Sequence, residues 1–350
     1  MRFEKFIEAM HKADADCLII KNRYNIRYLT GFTGDAGVLY LDENGGTLVT
    51  DGRFIEQAQS QMQGFQVLEY NNKFYKTIAS LCTRAQHIGI DGDRFTYDEY
   101  NELYKYLGKK KIISVDLNTL REIKERSELE NLATAALIAD RAFINFLPQI
   151  KAGRSEKHLA AILEYEMKLQ GSEKTSFDTI VASGPRSSLP HAQPSERILQ
   201  DGDFVTFDFG ATYNGYHSDM TRTVVIGSAT PWHKEIYKLV LEAQMLGVGA
   251  AKAGMSGQQL DAAVRKVIKD KGYGDYFIHG TGHGVGLEIH ELPHINKLGT
   301  KALQKGMVFS IEPGIYIPSK GGVRIEDTVV LTEEGAKPLN GITKQLIEII

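Results

Sequence analysis

The chain has 350 residues, 42% of them hydrophobic and 24% charged, enough for a large core and, at this length, for two domains. Its 41 basic and 44 acidic residues leave a net charge of −3 with no Lys/Arg stripe, which excludes a nucleic-acid surface. No apolar run approaches the ~18 residues of a membrane span.

The opening MRFEKFIEAMHKADADCLII carries charges through its first turns and has no apolar h-region. It reads as an amphipathic helix, with Phe3, Phe6, Ile7 and Met10 on one face, running into a strand. Cys17 and Cys82 lie in apolar or helical surroundings without metal-ligand spacing, so free buried thiols in a reducing, cytoplasmic setting are expected. Up to about residue 120, short strands at 17–20, 38–41, 47–50, 67–70 and 88–90 alternate with helices at 53–63 and 97–107, an α/β pattern. The stretch from Asp42 to Gly46 closes a hairpin, and the run Lys109, Lys110, Lys111 reads as a solvated turn.

A second domain opens with Ser127 and Glu130 as a capping box ahead of a long helix that stops at Pro148. It contains a repeat: KAGRSEKHLAAILEYEMKLQG at 151–171 aligns without gaps to KAGMSGQQLDAAVRKVIKDKG at 252–272. Each copy has a Gly ahead of a Ser N-cap and a Gly just past the helix end, which predicts two half-domains related by a pseudo-twofold axis.

Asp208 (VTFDFGA), Asp219 (YHSDMTRT), His283 (HGTGHGVGLEIHE), Glu312 (SIEPGIY) and Glu326 (VRIEDTVV) carry the chemistry. Any one of these carboxylates alone reads as a satisfied strand or turn residue. Together they place charge inside apolar strand patterns, which is costly unless the charges are paired or bind metal. Four carboxylates and one imidazole suit a pair of divalent cations. The link ATYNGYHS predicts a hairpin joining Asp208 to Asp219, and PGIYIPSKGGVRI joins Glu312 to Glu326 the same way. GTGHGVG lacks the spacing of a phosphate-binding glycine loop, and no GKS or GKT follows any strand.

In their order and combination, SGPRSSLPHAQPSERILQDGDFVTFDFGA, SDMTRT, HGTGHGVGLEIHE, EPGIYIP and GGVRIEDT resemble the pita-bread metallopeptidases. The branch they resemble is the one containing aminopeptidase P and prolidase (Xaa-Pro dipeptidase). The resemblance covers roughly residues 125–350 and is weaker in the N-terminal third, where NIRYLTGF carries it. It implies an α+β molecule: an N-terminal α/β, creatinase-like domain at 1–122 and a catalytic pita-bread domain with a pseudo-twofold internal repeat at 123–350. The first would shape the substrate cleft or the contact of a homodimer.

The resemblance also implies two divalent ions, manganese foremost, with cobalt or zinc as alternatives. Asp208 and Asp219 would chelate the first, Asp219 and Glu326 would bridge, and His283 with Glu312 would complete the second. His191 is expected near the leaving group, His290 at the tetrahedral intermediate, His279 as a further site histidine, and Arg324 as the residue orienting the bridging carboxylates. Water activated between the ions would attack the scissile carbonyl, with Glu312 shuttling the proton. The substrate would be a proline-containing peptide, and Phe177, Tyr216 and Tyr316 are candidates for an apolar proline pocket.

Creatinase-like enzymes and peptide-binding scaffolds of this fold have lost the ligand set. Methionine aminopeptidases keep it but lack the N-terminal domain and the LPHAQPSER context. Between the two Xaa-Pro activities, some prolidases place an arginine after the EIHE-type motif, where this chain has His294. A histidine holds a carboxylate less securely near pH 7, which favours the Xaa-Pro aminopeptidase reading, with Xaa-Pro dipeptidase as the alternative.

Overall fold

The computed structural model describes residues 2–350, divided into a unit that runs to Arg121 and a unit from Glu122 to Ile350. In the first, α1 (Arg2–Lys12) buries Phe6 and Met10 and leads into β1 (Cys17–Ile20), which is wholly buried. α2 (Arg23–Thr30) is formed by the NIRYLTGF stretch. The Asn22 side chain accepts the Tyr24 N–H at its start, and Gly31 at φ 81° closes it, a left-handed position that glycine takes without a Cβ penalty. Then follow β2 (Val38–Asp42), β3 (Gly45–Thr50), α3 (Ile55–Gln61), β4 (Gln66–Glu69), α4 (Phe74–Leu81), β5 (His87–Ile90), α5 (Tyr97–Leu107) and β6 (Lys111–Ser114).

The strands form one mixed sheet in the order β4-β3-β2-β1-β5-β6. β2 and β3 pair Asp42 with Gly45 around a two-residue turn. The lysine run is a solvated turn only at Lys109, which is exposed in the turn after α5. Lys110 Nζ donates to the carbonyls of Cys82 (2.9 Å), Thr83 (3.0 Å) and Ala85 at the end of α4, and Lys111 begins β6. Cys17 and Cys82 are free and buried.

The second unit begins with α6 (Arg126–Phe146), whose cap lies two residues earlier than the Ser127–Glu130 pattern suggests. Glu125 is the N-cap, and its N–H donates to the Glu128 carboxylate at 3.0 Å. Glu128 is buried, so the register that submerges Leu132, Ala135, Ala139 and Phe143 sets the start of the helix. After it come α7 (Glu156–Leu169), β7 (Ile180–Ser183), β8 (Phe204–Phe209), the small β9 (Thr212–Tyr213) and β10 (Tyr216–His217), and β11 (Met220–Ile226). The second half repeats the plan with α8 (Pro231–Ala250), α9 (Gly257–Asp270), β12 (Gly282–Gly284), β13 (Glu291–Ile295) and β14 (Val308–Ile311). β15 (Gly314–Ile317), β16 (Gly321–Arg324), β17 (Asp327–Thr332), β18 (Gly335–Pro338) and β19 (Ile347–Ile349) complete it.

The two halves match in detail. Ser155 and Ser256 cap α7 and α9 by accepting the N–H three residues on, at 3.2 and 3.1 Å. Gly153 and Gly254 precede them at φ 87° and 91°; Gly171 and Gly272 follow the helices at 101° and 84°. The likeness runs further than the sequence repeat showed. Gly153 N–H donates to Leu199 O (3.0 Å) as Gly254 N–H does to Leu303 O (2.9 Å). These bonds put LQDGDFVTFDFG (199–210) in the same place as LQKGMVFSIEPG (303–314). Strand order follows suit, β7-β8-β11 in one sheet and β12-β14-β17 in the other, antiparallel throughout. Each sheet rests its apolar face on its own helix pair, with Phe143, Phe146, Leu159 and Leu163 under Phe207 and Phe209, and Val240, Ala243, Leu260 and Val264 under Phe309 and Ile311.

Candidate metal centre

The two sheets bring Asp208 and Glu312 to equivalent places, Asp208 near the end of β8 and Glu312 one residue past β14. Asp219 precedes β11, and Glu326 precedes β17. His283 is the middle residue of β12, a three-residue strand tightly enclosed by its neighbours: a Cβ on Gly282 would lie 2.0 Å from Ser310 O, and one on Gly284 2.1 Å from Leu292 O. Only glycine lets the backbone approach that closely.

All five line one cavity of about 520 Å³, together with His191, His279, His290 and Arg324. Every residue singled out from the sequence for ligation or catalysis is thus in one place. Of the three apolar pocket candidates only Phe177 lines it, with Ile180 beside it. Tyr216 instead hydrogen-bonds the buried Glu128 at 3.1 Å.

The carboxylates are crowded. Asp219 is 4% exposed and Glu326 1%, and their oxygens lie within 4.8 Å of each other and of a His283 ring nitrogen. His283 Nε2 is 3.4 Å from Asp219 Oδ2 and 3.5 Å from Glu312 Oε1. Its Nδ1 faces the carbonyl of Gly284 at 3.0 Å, and a carbonyl can only accept, so Nδ1 carries the hydrogen and Nε2 presents its lone pair to the acids. Asp208 Oδ1 and Glu326 Oε1 are buried without a hydrogen-bond partner among the described residues.

Burial, then the charges of Asp208 and Glu312, push the Asp219 pKa well up. Burial and Asp219 do the same to Glu326, and burial with Asp208's charge holds Glu312 at about 8 against the pull of Arg324. Burial, with His290 beside it, drives His283 down to about 4. The cluster therefore lacks positive charge: two orphan carboxylate oxygens, acids that resist ionising together and a neutral imidazole aimed at them fit a divalent-metal site.

Arg324, 3% exposed, is the fixed cation of the group. One guanidinium nitrogen donates to Asp208 Oδ2 at 2.5 Å, another to Tyr316 Oη at 2.8 Å, and Nε to Thr221 Oγ1 at 3.1 Å. Thr221 donates in turn to Glu326 Oε2 at 2.7 Å. Tyr316 Oη is also 2.8 Å from His279 Nε2, whose Nδ1 faces Gly280 O at 2.8 Å. The same carbonyl argument gives a directed chain: Arg324 donates to Tyr316, Tyr316 donates to His279, and His279 donates to Gly280 O. Tyr316 is thus a linker beneath the cavity rather than a wall of the proline pocket.

Sequence reasoning missed this role, and also Ser310, whose hydroxyl donates to Glu312 at 3.1 Å and accepts the His283 N–H at 3.1 Å. Both glycines of the β15–β16 hairpin leave room for the Tyr316 ring: a Cβ on Gly314 would lie 2.4 Å from its hydroxyl and one on Gly322 3.0 Å from its Cδ1. His191 and His290 are exposed within the cavity. The His290 ring packs edge-on to His283 with centroids 4.3 Å apart.

The fold and the charge-starved site define a metallopeptidase, and comparison with known proteins agrees. Residues 130–333 match metallopeptidase family M24, and residues 2–123 match the creatinase/prolidase N-terminal domain. The chain belongs to metallopeptidase family M24, with the pita-bread fold and an N-terminal creatinase-type domain. It is 41% identical to an Xaa-Pro dipeptidase of Pyrococcus furiosus over 99% of each chain. A solved Xaa-Pro dipeptidase from Bacillus anthracis superposes with a TM-score of 0.96 at 42% identity, covering 99% of both chains. A solved X-Pro aminopeptidase from Thermotoga maritima gives 0.93 at 37% identity, again covering 99% of both.

Proposed function

We propose that the chain is a metal-dependent Xaa-Pro dipeptidase. The observation that carries the metal-peptidase part is the cluster of Asp219, Glu312 and Glu326 beside the His283 Nε2 lone pair, with Asp208 lining the same cavity and Arg324 as its fixed cation. The choice of dipeptidase over aminopeptidase rests on the full-length likeness to proteins named Xaa-Pro dipeptidase. It reverses the preference drawn from the residues after EIHE. His294 lies on β13 opposite His283, with an exposed side chain and outside the lining of the cavity.

Asp208, Asp219, His283, Glu312 and Glu326 are the ligand set in this reading, for two divalent ions with manganese first among candidates. When bound, the ions supply Lewis acidity and an acidified water. Asp208 is held by Arg324, Glu326 by Thr221 and Glu312 by Ser310, so each acid keeps one oxygen anchored. Glu312 carries the proton to the leaving nitrogen, which a tertiary proline amide requires before it can depart. His290 and His191, open to the cavity, donate to the developing oxyanion and the scissile unit. Phe177 and Ile180 form apolar wall for substrate side chains.

Metal-stripped protein should hydrolyse neither Ala-Pro nor Ala-Pro-Ala, and added Mn²⁺ should restore cleavage of Ala-Pro. Preference for the tripeptide would replace this reading with an Xaa-Pro aminopeptidase. Bound metal without cleavage of either peptide would remove the proline specificity altogether.

A further inference from the structure

Lys124 and Glu291 form an ion pair at 2.6 Å with side chains only 1% and 3% exposed. They are 167 residues apart in sequence. Such a pair is a poor way to gain stability, because desolvating both charges costs about as much as their attraction returns. Its surroundings suggest what else it does.

Glu291 is the first residue of β13 and immediately follows His290, the imidazole that packs on His283. The loop before it folds around its carboxylate. Glu288 N–H approaches Glu291 Oε2 at 3.3 Å, and a Cβ on Gly286 would lie 2.2 Å from Oε1. Gly286 N–H bonds Glu288 O at 3.1 Å, and Gly286 O accepts from His217 N–H at 2.9 Å, two residues ahead of Asp219. Lys124 is fixed in its turn, since its N–H donates to Gly306 O at 2.9 Å and its neighbour Ile123 bridges Met307. The ammonium therefore reaches a carboxylate about which the 285–290 loop is wound.

The geometry points to Lys124 and Glu291 as a positioning pair for His290: the buried ion pair fixes the loop that aims this imidazole into the cavity. The inference rests on the peptidase reading above. Neither residue touches the reacting atoms; each acts through the loop.

The test uses the full-length, Mn²⁺-loaded protein with Ala-Pro as substrate. In Lys124→Met, kcat should fall about 10–100-fold, the range for partners that orient a site group, with a smaller change in KM and unchanged manganese content. Lys124→Arg should recover part of the loss. The double variant Lys124→Met/Glu291→Met removes both charges and keeps two unbranched side chains. Its Tm should return to the wild-type value while kcat stays low. Recovery of kcat together with Tm would reduce the pair to a structural role and overturn the proposal, as would an unchanged kcat in Lys124→Met.

Hydrogen exchange gives a second readout that does not depend on turnover. Amides of residues 285–290 should exchange faster in Lys124→Met and in the double variant, with the rest of the sheet unchanged; protection equal to wild type overturns the proposal. Should Lys124→Met not fold, Glu291→Gln, which keeps the shape and hydrogen-bonding capacity of the side chain, is carried through the same measurements with the same expectations. A wild-type protein inactive on Ala-Pro would count against the dipeptidase reading, and the exchange measurement would still decide the role of the pair.

Discussion

Tyr316 shows how much of this site depends on a single oxygen. Its hydroxyl accepts from Arg324 and donates to His279, joining the cation that holds Asp208 to an imidazole whose pKa burial, aided by Arg324, lowers to about 4. Tyr316→Phe keeps the ring and its packing but cuts this chain. Turnover of an Xaa-Pro substrate should drop about tenfold with metal content intact, the lower end of what partners of site groups are worth; kinetics paired with metal analysis check it. The ligand-type residues were legible because charge inside an apolar strand pattern stands out against the bland alternative. Tyr316, Thr221, Ser310 and Lys124 were not, because an uncharged hydroxyl or a lone lysine carries no sequence sign of the partner it meets, whether two residues along the chain, as Ser310 meets Glu312, or more than a hundred away, as Thr221 meets Glu326 and Lys124 meets Glu291.

Elements announced by turn and cap chemistry were readable, and those set by tertiary burial were less so. Ser155 and Ser256 stand at matched places in the repeat and make matched bonds. Replacing either by Ala should cost about 1 kcal/mol, and by nearly the same amount in both, since each cap opens one helix of an equivalent pair; chemical denaturation of the two variants side by side is the measurement. At α6 the Ser127–Glu130 pattern misled because burial of Glu128 and Leu132 fixes the helical register, and the cap follows the register. Helices α2 and α4 are short, and β6 is a half-exposed edge strand, so neither period offered enough turns to recognise. The repeat, found in the sequence over one helix per half, extends in the structure through the turn and strand that carry Asp208 and Glu312.

For the whole molecule, the acid cluster sets a dependence on pH that metal should abolish. The folded, metal-free protein holds Glu312 at about 8, above the ordinary value of 4.5, so this group favours folding fully below 4.5 and loses that contribution as the pH rises through 8. Asp219 and Glu326, also raised, act with the same sign. His279 and His283 act oppositely, but their pKa values of about 4 when folded and 6.5 when unfolded confine their effect below pH 6.5. Between pH 6.5 and 8 the Tm of stripped protein should therefore fall relative to that of Mn²⁺-loaded protein, in which the carboxylates are already ionised. Asp91 in the first unit, raised to about 7 by burial, changes both forms alike, so the difference between the two melting curves isolates the site.

The paired placement of Asp208 and Glu312 has a mechanical side as well. One acid belongs to each half of the duplicated domain, and 104 residues of chain (312 − 208) separate them. With Asp219 and Glu326, likewise one from each half, as the residues that would bridge the ions, bound metal would act as a detachable stitch across the seam, closing a loop whose entropy the unfolded chain would otherwise recover. Metal-depleted protein should then be cleaved by an added protease faster than Mn²⁺-loaded protein.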